Sequence, residues 1–224
     1  MSCGKPFDID QLKSLELMNL FDETARFISR IDIEIVPDQT HGLSREETPA
    51  HNIIDDSGDP SALIQFSNSL SRDEQIQAIA HEIAHLLLIF KHGLRIRDRF
   101  FAILEIDPSE ITNITHHLIF IELIKEEYKI ESSLHLNLLR SNISEFLADK
   151  NSPRHIKGIR AYEYERLVGK IDRAMDSTSS IEKAFDSAQR YFYSYNSKNI
   201  PTPLSYVRDI CSFLKDTGVI KKGG

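Results

Sequence analysis

The sequence predicts an α+β fold in which a small mixed sheet near the N-terminus carries one strongly specified helix and a mainly helical region follows. Two segments, 31–36 and 62–67, have the alternating or continuously apolar character of strands, and both fall in the first third of the chain. From residue 71 onward, apolar residues recur at helical intervals in one segment after another. With 41% hydrophobic and 27% charged residues, nine Gly and eight Pro in 224 residues, the chain has a folded-domain composition and enough length for a sizeable core.

The elements follow in order. Ile9, Leu12, Leu15, Leu20, Phe21, Thr24, Phe27 and Ile28 are spaced for an amphipathic helix over 8–29. IDIEIV at 31–36 alternates as a strand and is stopped by Pro37. Residues 37–60 are rich in Pro, Asp, Ser, Thr and Gly, with the turn signal DDSGDP at 55–60, and ALIQFS at 62–67 is a second strand. Ser71 and Glu74 form the Ser-x-x-Glu pattern of a capping box ahead of Ile76, Ile79, Ala80, Ile83, Leu87 and Phe90. That helix should end near His92, with Gly93 in the left-handed conformation beyond it. Asp107, Pro108 and Glu110 open a helix running to about Lys129, through the capping roles of Asp, Pro and Glu. Further helices are expected over 133–150, closed by Pro153, and over 155–175, 180–195 and 203–216, with a loop at YFYSYNSKNIPTP.

Charge and cysteine content exclude several function classes. With 27 Lys+Arg against 34 Asp+Glu, the net charge is −7, and no nucleic-acid partner is expected. The basic run KHGLRIRDR at 91–99 suits a solvated helix end and loop better than a phosphate site. Cys3 and Cys211 are too few for a disulfide framework or a Cys-rich metal site, which suggests a reducing compartment. No apolar run approaches the roughly 18 residues of a membrane span, and MSCGKPFDIDQ has no signal-peptide core. A soluble cytoplasmic protein is expected.

The best-specified helix carries His81-Glu82-Ile83-Ala84-His85, an HExxH motif. Residues four apart lie about 40° apart around a helix and one turn along it, so both imidazoles can reach one ion. Glu82 projects about 100° from His81, where it can act as general base on a water activated by the metal without being a ligand. An ordinary helix could carry the pattern by chance, but an imidazole pair among Ile, Ala and Leu would be costly to desolvate without a shared partner.

Two His leave an ion under-coordinated. Leu88 and Lys91 stand where the extended metzincin motif needs Gly and His, and His92 lies roughly 10 Å along the helix beyond His85. In SEFLAD at 144–149, Glu145 and Asp149 lie one turn apart on one helix face, with Ala148 allowing close approach of another helix. Glu145 would complete a His, His, Glu set, and Asp149 could accept the spare ring N–H of a ligating His. Glu122, Glu110 and the His116-His117 pair are the alternatives, and an acidic stripe is also common on any exposed helix face.

On these residues the sequence resembles gluzincin-type zinc peptidases with a zincin-like fold. ALIQFSNSLSRDEQIQAIAHEIAHLLL at 62–88 is similar to the strand, connector and active-site helix of the ImmA/IrrE-type peptidases of bacteria and phages. SEFLAD is similar to the third-ligand helix of that type and of the CAAX-prenyl-protease type, whose members are membrane proteins. The chain departs from the first type in the roughly 60 residues between motifs and in Pro153, which ends the helix early; the specific resemblance covers about 90 of 224 residues. It implies a Zn2+ ion held by His81, His85 and Glu145, with Glu82 passing a proton from water to the leaving amine of a protein or peptide substrate. The 62–67 strand, as a sheet edge, would pair with that substrate. His155, Tyr162, Tyr164 and His116 are candidates for an oxyanion donor.

The expected division is a metallopeptidase core over 1–153 and a helical region over 154–224. A non-catalytic adaptor on the same scaffold, or a toxin or effector peptidase, are the competing readings; an intact Glu82 favours catalysis. The aromatic segment 191–206 is either a partner-binding loop or packing over a core, and the terminal KKGG reads as a frayed end.

Overall fold

The computed structural model describes residues 4–40, 42–55, 57–96, 109–171 and 179–220. Among them the chain is α+β, with strands β1 (Lys5–Pro6), β2 (Arg30–Val36), β3 (Ala50–Asp55) and β4 (Ser61–Ser67). The helices are α1 (Leu15–Thr24), α2 (Arg72–Phe90), α3 (Ser109–Glu126), α4 (Ser133–Ala148), α5 (Arg154–Leu167), α6 (Ser179–Phe192) and α7 (Pro203–Asp216). The expected Asp107-Pro108 cap, residues 97–99 of the basic run and KKGG lie outside the described residues. Compactness divides the chain into one unit of Met1–Lys91 and Leu123–Leu138 and another of His92–Glu122 and Leu139–Gly224. This division differs from the expected boundary at 153.

In the first unit the strands lie in the order β1-β2-β4-β3. β2 and β4 are parallel, while β1 on β2 and β3 on β4 are antiparallel. The strand at 61–67 is therefore interior and not the expected edge; β3 is the outer strand beside it. β3 itself lies in the stretch that composition marks as loop. Its Asn and Asp are poor strand formers, and pairing with the buried β4 holds them extended. The expected helix over 8–29 is also broken. Asp8 caps a 3-10 turn at Ile9–Leu12, Lys13 turns left-handed at φ 49°, and Ser14 caps α1 through the Leu17 N–H. Two N-caps six residues apart, Asp8 and Ser14, leave one continuous amphipathic pattern in two pieces.

α2 starts with both halves of the predicted capping box: Ser71 N–H donates to Glu74 Oε2 at 2.8 Å and Glu74 N–H to Ser71 Oγ at 3.4 Å. It ends with Gly93 left-handed at φ 66°, as predicted. Ile79, Ile83, Ala84 and Leu86 to Leu88 are buried where α2 packs on α1 and on strands β3 and β4. Beyond α2, Lys91 pairs with Glu23 of α1, whose carboxylate also accepts the Tyr128 hydroxyl at 2.5 Å.

In the second unit α5 and α6 approach at Gly158, where an added Cβ would collide with the Ala184 Cβ and sit 2.8 Å from the Phe185 nitrogen. The aromatic segment packs over a core: Phe192, Tyr195, Tyr206 and Phe213 are buried, and the Arg166 guanidinium holds the Tyr193 and Tyr195 carbonyls. Tyr193 alone of these stands out, 70% exposed.

Candidate metal centre

Helical geometry delivers His81 and His85 to one side of α2. Their rings lie 5.0 Å apart, centroid to centroid, and their ligand nitrogens come within 4.8 Å. Two imidazoles bound to one tetrahedral zinc, with Zn–N of about 2.0–2.1 Å, have ring centres about 5 Å apart. The pair fits that spacing. His85 is buried and His81 half-buried.

Glu82 is 7% exposed, and the Asn52 amide on β3 donates to its Oε2 at 2.5 Å. Burial pushes the carboxyl up to about 7, against the lowering effect of the Asn52 hydrogen bond. The register explains the contact: Asn52 stands opposite Ile64, with Ile33 in the same row, on the sheet face that meets α2. The next row points to the other face, where His51 Nε2 donates to Gln65 Oε1 at 3.1 Å and Gln65 Nε2 to Glu34 Oε2 at 2.8 Å. Sequence reasoning missed Asn52, because its strand is legible only through its pairing.

It also missed His135. That ring lies 4.8 Å from His81, centroid to centroid. The only sequence signal was a histidine in the first turn of a predicted helix.

Glu145 and Asp149, expected as third ligand and as its supporting carboxylate, both belong to the second unit. Glu145 is exposed on α4. Asp149 accepts the Ser152 hydroxyl at 2.6 Å and the Asn151 N–H at 3.0 Å, contacts that hold its carboxyl below the usual range and close the turn after α4. Glu122 is exposed, and Glu110 lies 3.7 Å from Arg160.

The His116-His117 pair on α3 divides its roles. His116 is fully buried and donates Nε2–H to the Leu94 carbonyl at 2.8 Å, and burial pulls its pKa down to about 4. His117 donates Nδ1–H to the buried Glu163, which also accepts from Arg160 at 2.7 Å. A carboxylate only accepts, so Nδ1 carries a proton, the arrangement in which a histidine ligates through Nε2. Of the proposed oxyanion donors, Tyr162 accepts from Arg166 at 3.2 Å, and burial lowers the pKa of His155.

Compared with protein-family models, curated proteins and solved structures, the chain shows no significant match to any of them.

Proposed function

We propose that this chain is a cytoplasmic zinc-dependent endopeptidase of the zincin-like, ImmA/IrrE-type class, hydrolysing peptide bonds in a restricted set of protein substrates. The observation that carries the reading is the arrangement about Glu82: a buried carboxyl held by one neutral amide and flanked on its helix by two imidazoles spaced for a single ion. A structural helix gains nothing from burying an acid there, whereas a general base belongs beside the water that the ion would activate.

His81 and His85 would hold the ion. Zinc in such a site polarises a peptide carbonyl and acidifies a water. Glu82 takes the proton of the attacking water and delivers it to the amine nitrogen that leaves, while Asn52 keeps one carboxylate oxygen oriented. The outer strand β3 offers backbone N–H and C=O groups along 50–55 to an extended peptide, a role the sequence alone assigned to the neighbouring strand. Among the described residues no helix is long and apolar enough to cross a membrane.

The E-x-x-A-D pattern proposes Glu145 as third ligand, with Asp149 in support. His117, with Nδ1 fixed by Glu163, is the second candidate. Elemental analysis tests the set. Wild type should hold about one zinc per chain and H85A should lose it. Loss in E145A supports Glu145; retention there with loss in H117A replaces it. A wild type that binds no zinc refutes the reading.

A further inference from the structure

β3 pairs with β4 in a regular antiparallel register over Ala50–Asp55, without a bulge. Just before it, Ser67 N–H donates to the Pro49 carbonyl at 3.0 Å, which marks Pro49 and Ser67 as a hydrogen-bonded pair of that ladder. Such pairs recur at every second residue. His51, Ile53 and Asp55 therefore bond β4 through their backbone, and Ala50, Asn52 and Ile54 turn N–H and C=O away from it. Among the described residues β3 is the last strand on its side of the sheet, and no other backbone bonds those outward groups. The guards that commonly blunt an outer strand, Pro, Lys or a bulge, are absent from 50–55.

The face of the strand turned away from α2 carries His51, Ile53 and Asp55. Ile53 is 53% exposed, and among the described residues it is the one large apolar side chain of a strand so exposed. Asp55 takes the Ser57 N–H at 3.0 Å and the Ser57 hydroxyl at 2.7 Å on one oxygen. These contacts hold it below the usual carboxylate range and leave its other oxygen for a partner. His51 has Nε2 committed to Gln65, with Nδ1 left over.

We propose that β3 is a self-association edge, pairing antiparallel with β3 of a second copy of this chain about a two-fold axis at Ile53. The register follows from the strand itself. Backbone bonding needs an outward residue opposite an outward residue, and two-fold symmetry needs the same patch on both copies. Centred on Ile53, the pairing sets Asn52 opposite the partner's Ile54, Ile53 opposite the partner's Ile53, and His51 opposite the partner's Asp55. The exposed apolar side chains then cover each other across a closely spaced pair, and an imidazole meets a carboxylate on either side of them. A facing carboxylate favours the protonated ring, in which Nδ1 donates as well as Nε2. A slip of two residues either way sets Ile53 against His51 or Asp55 and loses both matches. The pairing does not rest on the peptidase reading; under that reading it withholds from a peptide the strand that would receive it.

The test is sedimentation equilibrium of the full chain over a concentration series reaching the near-millimolar range, which needs neither zinc nor a substrate. Wild type should show a reversible monomer–dimer equilibrium. H51D sets carboxylates against each other at both symmetric contacts, and D55K removes the attraction at both. Each should dimerise roughly 10- to 30-fold more weakly than wild type. The decisive sample is their equal mixture. A carboxylate placed at 51 in one copy then faces an ammonium placed at 55 in the other, and the remaining His51 faces an unchanged Asp55. The mixture should form a heterodimer about as tightly as wild type forms its homodimer, an outcome that pairing of 51 with 55 produces and another interface does not. A wild type that stays monomeric at every concentration overturns the inference. So do single variants that dimerise as wild type does, or a mixture that associates no better than either variant alone. None of these results reads zinc or activity, so each leaves the peptidase reading where it stands.

Discussion

Among the described residues each unit buries one glutamate, and the two are handled in opposite ways. Glu82 in the first unit faces a neutral amide, and its carboxyl is pushed up to about 7. Glu163 in the second, with no exposed surface, accepts from His117 and from Arg160, which reaches Glu110 as well. A buried carboxylate surrounded by donors and a cation is compensated and serves the architecture. One left with a single neutral donor stores the cost of burial as a raised proton affinity, which is what acid–base chemistry uses. The difference separates a chemical site from a structural one more clearly than burial itself does.

The largest effect expected from breaking the comparison is on activity. E82Q keeps the shape, the burial and the Asn52 neighbour while removing the base. It should retain zinc and lose about 10²–10⁴-fold in peptide hydrolysis, measured on a peptide library with mass-spectrometric detection. E82Q cleaving at the wild-type rate would remove Glu82 from the mechanism.

Next comes the structural glutamate. E163A leaves His117 and Arg160 facing a cavity, and breaking one partner of a buried ion pair costs about 3–5 kcal/mol. Denaturant unfolding should show that loss. A loss well below 1 kcal/mol would mean that Glu163 is not compensating its neighbours and that the contrast with Glu82 is misdrawn.

Much of this contrast was hidden in the sequence for identifiable reasons. His81, Glu82 and His85 were legible because their relation is fixed by one helix, and a strong capping box announced that helix. The break at Lys13 was not, since the apolar spacing continues across both caps. Asn52 was masked by its own composition: AHNIID resembles a loop until β4 is placed beside it. Glu163 sits in RAYEYERL, an ordinary charged helical string, and its partner His117 is 46 residues away on another helix. Residues bound to one another by periodicity can be read; residues that meet only through packing cannot.

A third outcome concerns stability. In the metal-free protein Glu82 has a folded-state pKa of about 7 against an unfolded value of 4.5. The folded state therefore binds more protons between these values, and stability is full below about pH 4.5 and falls as pH rises through 7. The loss amounts to about 3 kcal/mol. E82Q has no such titration, so metal-free E82Q should exceed metal-free wild type in stability by about that amount at pH 8 and match it near pH 4. Parallel pH profiles for the two proteins would show that Glu82 is not destabilised by its burial.

The smallest effect isolates the single donor. Asn52 is the one group that lowers the Glu82 pKa, so N52A should send it above about 7. A hydrogen bond to a charged group contributes about 1.5–3 kcal/mol at most, and water entering the space left by the amide will return part of it. The expected rise is therefore about one unit. It can be read from the carboxyl carbon of Glu82 by NMR in the metal-free protein, with E82Q to assign the signal. N52D should raise it further, because a second carboxylate beside Glu82 opposes its ionisation. If both variants leave the signal where wild type has it, desolvation alone sets the proton affinity of Glu82, and Asn52 serves only to hold β3 against α2.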